Sequence, residues 1–240
     1  MGKIAGEEKN KPEMGKELAE RSSLLGESLE KIIEPLLEAR SAKEKSEAHT
    51  FQLLCQNYAG QVIELLDPER DLSESRILVL ENGTGILARR LADRDVDIIS
   101  AAPTENTARL AERLNPFPNI IYKWLEPFPP EEEFDLVIDS GILTFYPPEL
   151  VGELLPRLAA FCRRKLIVTF RLALPWYRRW RKLEKGCYLR SLESAVHRYS
   201  EEEITSLIET TCGMILTDRR ESGRNLLVKA IKKPLQISLL

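Results

Sequence analysis

The chain has 240 residues, 43% of them hydrophobic and 30% charged, so it can bury a sizeable core in one large domain and intrinsic disorder is not the expectation. A net charge of -3 excludes the footprint of a broadly basic nucleic-acid binder, and two histidines with four scattered cysteines, none in a Cys-x-x-Cys pair, leave no zinc pattern. No window approaches the roughly 18 consecutive apolar residues of a membrane span and no apolar signal core opens the chain, so the expectation is a soluble cytoplasmic protein with reduced thiols.

Residues 1–13 are polar, carry Gly2, Gly6 and Pro12, and read as a flexible tail. Residues 14–70 read as N-terminal helices. Over 15–45, Leu18, Leu24, Leu25, Leu29, Ile32, Ile33, Leu36 and Leu37 recur at helical spacing, with Pro35 as a kink or break. A second helix is predicted over 48–66, with Leu53, Leu54, Tyr58, Val62, Ile63 and Leu66 as its buried face and Asp67-Pro68 as its stop. These helices could cap a cleft, form a dimer interface or simply pack.

Residues 71–240 form the main domain, in which strand and helix patterns alternate. Strands are predicted over 76–80, 96–100, 119–124, 134–139 and 165–170, and helices from 86, over 105–114 and over 148–161. Ser200-Glu201-Glu202-Glu203 joins an N-cap to acids that suit the helix dipole, and that helix runs to about Thr211. Residues 214–218 and 225–231 read as two strands joined through Glu221-Ser222-Gly223, a hairpin signal. The alternation calls for an α/β fold, a doubly wound and mostly parallel sheet covered on both faces, with an antiparallel strand added by the hairpin.

The most informative stretch is Ile77-Leu78-Val79-Leu80-Glu81-Asn82-Gly83-Thr84-Gly85. An apolar run ending in an acid and two spaced glycines reads as a buried strand, a tight turn and a helix start. Glycine lets the backbone turn sharply and lets a ligand lie close. The end of the first strand is where doubly wound folds bind nucleotides.

That turn, Phe134-Asp135-Leu136-Val137-Ile138-Asp139-Ser140, and Arg198-Tyr199-Ser200-Glu201-Glu202-Glu203-Ile204 followed by Cys212-Gly213-Met214 resemble the class I S-adenosylmethionine-dependent methyltransferases. The narrower likeness is to the ubiquinone-pathway and magnesium-protoporphyrin methyltransferases. The resemblance spans roughly Ala48 to Lys233 and implies a seven-stranded Rossmann-like sheet with an N-terminal helical extension. It also implies S-adenosylmethionine as cofactor and methyl transfer to an O, N or C nucleophile of a small molecule. On this likeness the cofactor would sit against Glu81, Gly83, Gly85, Ser100, Ala101, Glu126 and Asp139, with Glu81 bracing the loop or meeting the amino-acid end of the cofactor.

The chain departs from the family pattern in two places. Leu87 stands where a third glycine often lies, and the second strand ends Ser100-Ala101-Ala102, without the acid that usually binds both ribose hydroxyls. Losing such a charge-assisted acceptor costs on the order of 1.5–3 kcal/mol unless another group substitutes. A catalytically inactive methyltransferase-like binding or scaffold protein is therefore one competing expectation, and a methyltransferase for RNA or protein is another. Tyr146 and His197 are the candidate catalytic side chains: Tyr146 could line a substrate pocket or pack before a helix, and His197 could accept a proton or be structural. Residues 171–190, from Arg171 to Arg190, interleave Arg and Lys with Trp176, Tyr177 and Trp180. That mixture suits RNA, an anionic surface or a protein partner, or else an amphipathic cap.

Overall fold

The computed structural model describes residues 11–38, 41–66, 72–124, 132–173, 197–222 and 225–233. Two helices come first, α1 (Lys11–Glu38) and α2 (Ala42–Leu66). Then follow β1 (Arg76–Leu80), α3 (Ile86–Ala92), β2 (Asp97–Ala102), α4 (Glu105–Leu114), β3 (Ile120–Trp124) and β4 (Phe134–Asp139). A 3-10 turn (Ile142–Phe145) leads to α5 (Pro148–Phe161) and β5 (Cys162–Arg171). The last elements are α6 (Glu201–Thr205), continued by a π-helical turn (Ser206–Thr211), then β6 (Met214–Ser222) and β7 (Asn225–Lys232).

The strands make one seven-stranded sheet in the order β3-β2-β1-β4-β5-β7-β6. β1 to β5 are parallel, and β7 enters antiparallel between β5 and β6. This is the doubly wound, mostly parallel α/β fold expected from the alternation of patterns. The order reverses between β1 and β4, which makes the crevice above that pair the topological switch point.

Side chains of the central strands alternate between two apolar layers, as a sheet buried on both faces requires. Ile77, Val79, Ile98, Leu136 and Ile138 pack with Val62, Leu65 and Leu66 of α2 and Leu87, Ala88 and Leu91 of α3. Leu78, Leu80, Ala101 and Val137 pack instead with Leu154, Leu155 and Leu158 of α5. Leu18, Leu25, Leu29 and Ile33 of α1 join this second layer, so the N-terminal helix is built into the core.

Local chemistry sets several element ends. Ser41 and Glu44 form a reciprocal cap at the start of α2, Ser41 N donating to Glu44 Oε2 at 3.0 Å and Glu44 N to Ser41 Oγ at 3.2 Å. That cap starts α2 at Ala42 rather than Ala48. Thr104 with Thr107 and Ser200 with Glu203 cap α4 and α6 in the same way. α1 begins at Lys11, inside the stretch read as tail, and runs through Pro35 to Glu38 instead of breaking there. Among the described residues no helix is long and apolar enough to cross a membrane.

Candidate functional site

The site is built where the strands end. After Leu80 the chain makes its two-glycine turn, with φ of +86° at Gly83 and +69° at Gly85, a region L side chains rarely adopt. The turn holds itself together. Thr84 donates to Asn82 Oδ1 through both its amide (3.3 Å) and its hydroxyl (2.8 Å), Asn82 Nδ2 donates to Cys55 Sγ on α2 at 3.2 Å, and Asn115 Nδ2 donates to the Thr84 carbonyl at 2.7 Å.

The two acids at the strand ends point into structure. Glu81 lies on the α3 side of the sheet, fully buried, and its Oε1 accepts from Ala88 N at 3.0 Å. Of the two roles open to it, the geometry displays the bracing of the loop. Asp139 accepts from Leu143 N at 3.2 Å and Thr169 N at 3.3 Å, which ties the 3-10 turn and β5 to the end of β4. Burial pushes both carboxyls up to about 7, although several backbone N–H donors work the other way. Tyr58 reaches across from α2 to the same strand ends and donates to the Asp139 carbonyl at 2.5 Å, with the Thr169 hydroxyl 2.7 Å away. Its phenol is held well above its ordinary value by burial, so at neutral pH it keeps its proton. Helical spacing marks Tyr58 only as a residue of the buried face; no local pattern distinguishes a phenol that packs from one that reaches two strand ends.

Ser140 follows β4 directly, and its amide donates to the Leu80 carbonyl at 2.9 Å, so it sits at the switch point itself. Its hydroxyl is buried with no hydrogen-bond partner. The hydroxyl of Ser100 is likewise buried and without a partner, but Ser100 pairs with Val79 and shares its α3 side of the sheet. Ala101, next along β2, faces the α1 side. Trp124, at the end of β3, is 47% exposed, and Glu126 lies outside the described residues. The basic and aromatic stretch 174–190 also lies outside them.

One face of α1 crosses this region. Ser22 Oγ and Tyr146 OH are 2.8 Å apart. Thr104 Oγ1 donates to Glu30 Oε1 at 3.1 Å, and Ile33 stands over Gly83. Tyr146 is fully buried beneath the helix, and burial pushes its phenol up to about 12. His197 is half-buried near the end of β5, its ring edge-on to Tyr199 at 4.5 Å and its Nε2 3.9 Å from Glu203 Oε1.

No protein-family model matches the chain, and no curated protein matches it significantly. Solved structures do. Magnesium protoporphyrin IX methyltransferase from Synechocystis PCC 6803, with bound SAH, aligns over 74% of this chain and 83% of its own at a TM-score of 0.59 and 17% identity. An O-methyltransferase family 2 protein from Planctomyces limnophilus, in complex with apigenin, aligns over 82% and 67% at 0.53 and 16% identity. The N-methyltransferase NodS from Bradyrhizobium japonicum aligns over 75% and 96% at 0.52 and 14% identity.

The fold is that of the S-adenosylmethionine-dependent methyltransferases. The glycine turn, Ser140 and the end of β2 lie at the carboxyl ends of the neighbouring strands β1, β4 and β2, at the switch-point crevice. The unpartnered buried hydroxyl of Ser140 suits a polar ligand, whereas both turn glycines are packed against the chain itself: a Cβ on Gly85 would stand 3.0 Å from the Ala111 carbonyl oxygen of α4. α1 narrows that crevice: a Cβ on Gly83 would stand 2.9 Å from Ile33 Cδ1 and 3.2 Å from Thr107 Cβ. Ile33 Cδ1 is the far end of a rotatable side chain, whereas Thr107 Cβ is fixed to α4 and does not move with a rotamer.

Proposed function

We propose that the protein is an S-adenosylmethionine-dependent methyltransferase acting on an O, N or C nucleophile of a small molecule. The observation that carries this reading is the pairing, at one switch point, of the positive-φ glycine turn with the orphaned Ser140 hydroxyl. Buried hydroxyls are ordinarily hydrogen-bonded, so an orphan at a ligand crevice fits a partner brought by the ligand. The ligands named for the neighbours, SAH in the Synechocystis enzyme and apigenin in the Planctomyces protein, support the same cofactor and a small substrate.

When bound, the cofactor supplies an electrophilic methyl carbon, so the protein's share is binding and alignment. Ser140 offers a hydroxyl, and Gly83 offers its turn to the ligand once Ile33 Cδ1 is displaced. Tyr58, Asp139 and Thr169 fix the ends of β4 and β5 beside it. Tyr146 keeps its proton at neutral pH and is occupied with Ser22, which leaves His197, near the end of β5, as the side chain suited to receive a proton from the nucleophile.

Calorimetric titration with S-adenosylmethionine and S-adenosylhomocysteine tests the reading. Micromolar binding that is lost in Gly83→Val and weakened in Ser140→Ala supports it. No heat at millimolar cofactor sinks it. A binding or scaffold protein without turnover is the second reading, favoured by Ile33 on the glycine turn and by the missing acid on β2, and that negative titration would support it.

A further inference from the structure

Beyond the ends of β1, β2 and β4 the chain meets α1 each time. After β1, Ile33 Cδ1 lies 2.9 Å from where a Cβ on Gly83 would stand. Two residues beyond β2, Thr104 lies so close that a Cβ on Gly26 would stand 2.2 Å from its Cγ2, and its Oγ1 donates to Glu30 Oε1 at 3.1 Å. After β4, the Tyr146 hydroxyl is 2.8 Å from Ser22 Oγ. These strand ends border the switch-point crevice, where doubly wound folds take their ligands. We propose that α1 is an intrasteric plug: seated, it excludes the adenosyl cofactor, which binds only when the stretch from Ser22 to Ile33 lifts away. The inference rests on the methyltransferase reading above.

The seat is shaped for this helix. Glycine is unfavourable inside a helix, yet Gly26 stands on the face that meets Thr104, where any side chain would collide. Leu25, Leu29 and Ile33 are buried in the same apolar layer as Leu80 and Ala101. Lifting α1 exposes them to water, which makes the seated state the resting one. Cofactor affinity is then reduced by the fraction of molecules in which α1 is lifted.

Three features let the helix leave. Its ties to Tyr146 and Thr104 are side-chain hydrogen bonds, for which water can substitute. The start of α2 is capped by Ser41 and Glu44 between themselves, independently of α1. The cap of α4 also survives, because Thr104 Oγ1 accepts from Thr107 N at 3.2 Å without help from Glu30. The seated helix meanwhile leaves the Ser140 hydroxyl buried and without a partner, so it closes the strand ends without supplying the polar contact that a ligand would.

The test uses the full chain with S-adenosylhomocysteine as the probe. A Cβ on Gly26 would stand 3.0 Å from Thr104 Cβ. A disulfide spans roughly 3.5–4.5 Å between Cβ atoms, so a small shift lets the double variant Gly26→Cys, Thr104→Cys pin α1 to its seat. Oxidised with glutathione disulfide, this variant should bind the probe at least about tenfold more weakly than when reduced. The parent taken through the same oxidation controls for Cys55, Cys162, Cys187 and Cys212. Gly26→Leu, which wedges the helix outward, should bind at least about threefold more tightly than the parent. Hydrogen exchange reads the motion directly: the probe should speed exchange along residues 22–33 of the parent. Equal affinity in the oxidised and reduced forms, or slower exchange along 22–33 with the probe bound, would make α1 a fixed wall or a lid and overturn the proposal while leaving the cofactor reading intact. No binding by the parent, the reduced variant or a folded Gly26→Leu overturns the cofactor reading and the plug together. Binding by Gly26→Leu where the parent shows none supports both. If Gly26→Leu fails to fold, the disulfide pair and the exchange experiment decide.

Discussion

Ile33 and Gly83 touch across the sequence. The Cδ1 of the isoleucine on α1 lies 2.9 Å from where a Cβ on the glycine would stand, so the first helix rests on a turn that is bare enough to receive it. Truncation to Ile33→Ala removes a fully buried side chain from the α1 layer and should cost about 2–4 kcal/mol in urea denaturation. It also clears the turn. Calorimetry should therefore show S-adenosylhomocysteine binding at least as tightly as in the parent, although the variant is less stable. Affinity falling in step with stability would show that Ile33 forms part of the site instead of covering it.

Ser22 and Tyr146 anchor the other end of the helix through a 2.8 Å contact between hydroxyls buried under α1. Tyr146→Phe keeps the ring and removes the bond, so it should lower stability by about 1 kcal/mol. Turnover at saturating substrate should stay near that of the parent, because a phenol held at about 12 under a helix is not the proton acceptor. A collapse of kcat without loss of stability would return Tyr146 to the catalytic candidates.

Glu81 and Asp139 make stability depend on pH. Burial raises their carboxyls from 4.5 and 3.8, respectively, to about 7 in the folded chain. Between those values the native state holds protons that the unfolded chain has released, so stability is full below about pH 4 and falls as the pH rises toward 7. Glu81→Gln removes one of the two groups. The gap in urea midpoint between variant and parent should therefore shift in favour of the variant as the pH rises from 4.5 to about 7. A gap that stays constant over that window would contradict the buried, proton-holding state of Glu81.

Tyr58 bridges α2 to the ends of β4 and β5, and its loss should be felt in both. Tyr58→Phe removes the donor to the Asp139 carbonyl and the contact to Thr169. The expected cost is about 1–3 kcal/mol, since groups at a half-buried junction lose a partner. Hydrogen exchange should show faster opening at Thr169 and Leu143, the amides that hold Asp139. Unchanged exchange there would mean that the phenol packs without carrying the junction.

Much of the main domain was legible because its signals are local. The helix at Glu105–Leu114, the strand at Phe134–Asp139 and the helix at Pro148–Phe161 end where capping residues, prolines and changes of period put them. The start of α2 was legible too, but only to a reader who takes Ser41-Ala42-Lys43-Glu44 as a capping box; the apolar spacing alone begins too late. The partners of the strand-end acids were not legible. Whether Glu81 and Asp139 meet a ligand or a helix amide depends on the side of the sheet each faces and on what α3 and β5 present there.

By itself the sequence determined the layered architecture, the hairpin that closes it and the glycine turn at the end of β1, because period, capping and glycine geometry act over a few residues. Only the tertiary structure decided what stands over that turn. Gly26, Glu30 and Ile33 meet Thr104 and Gly83 across long stretches of chain. Such contacts come from the packing of α1 into the core, and the helical repeat of α1 says that one face is buried without saying against what.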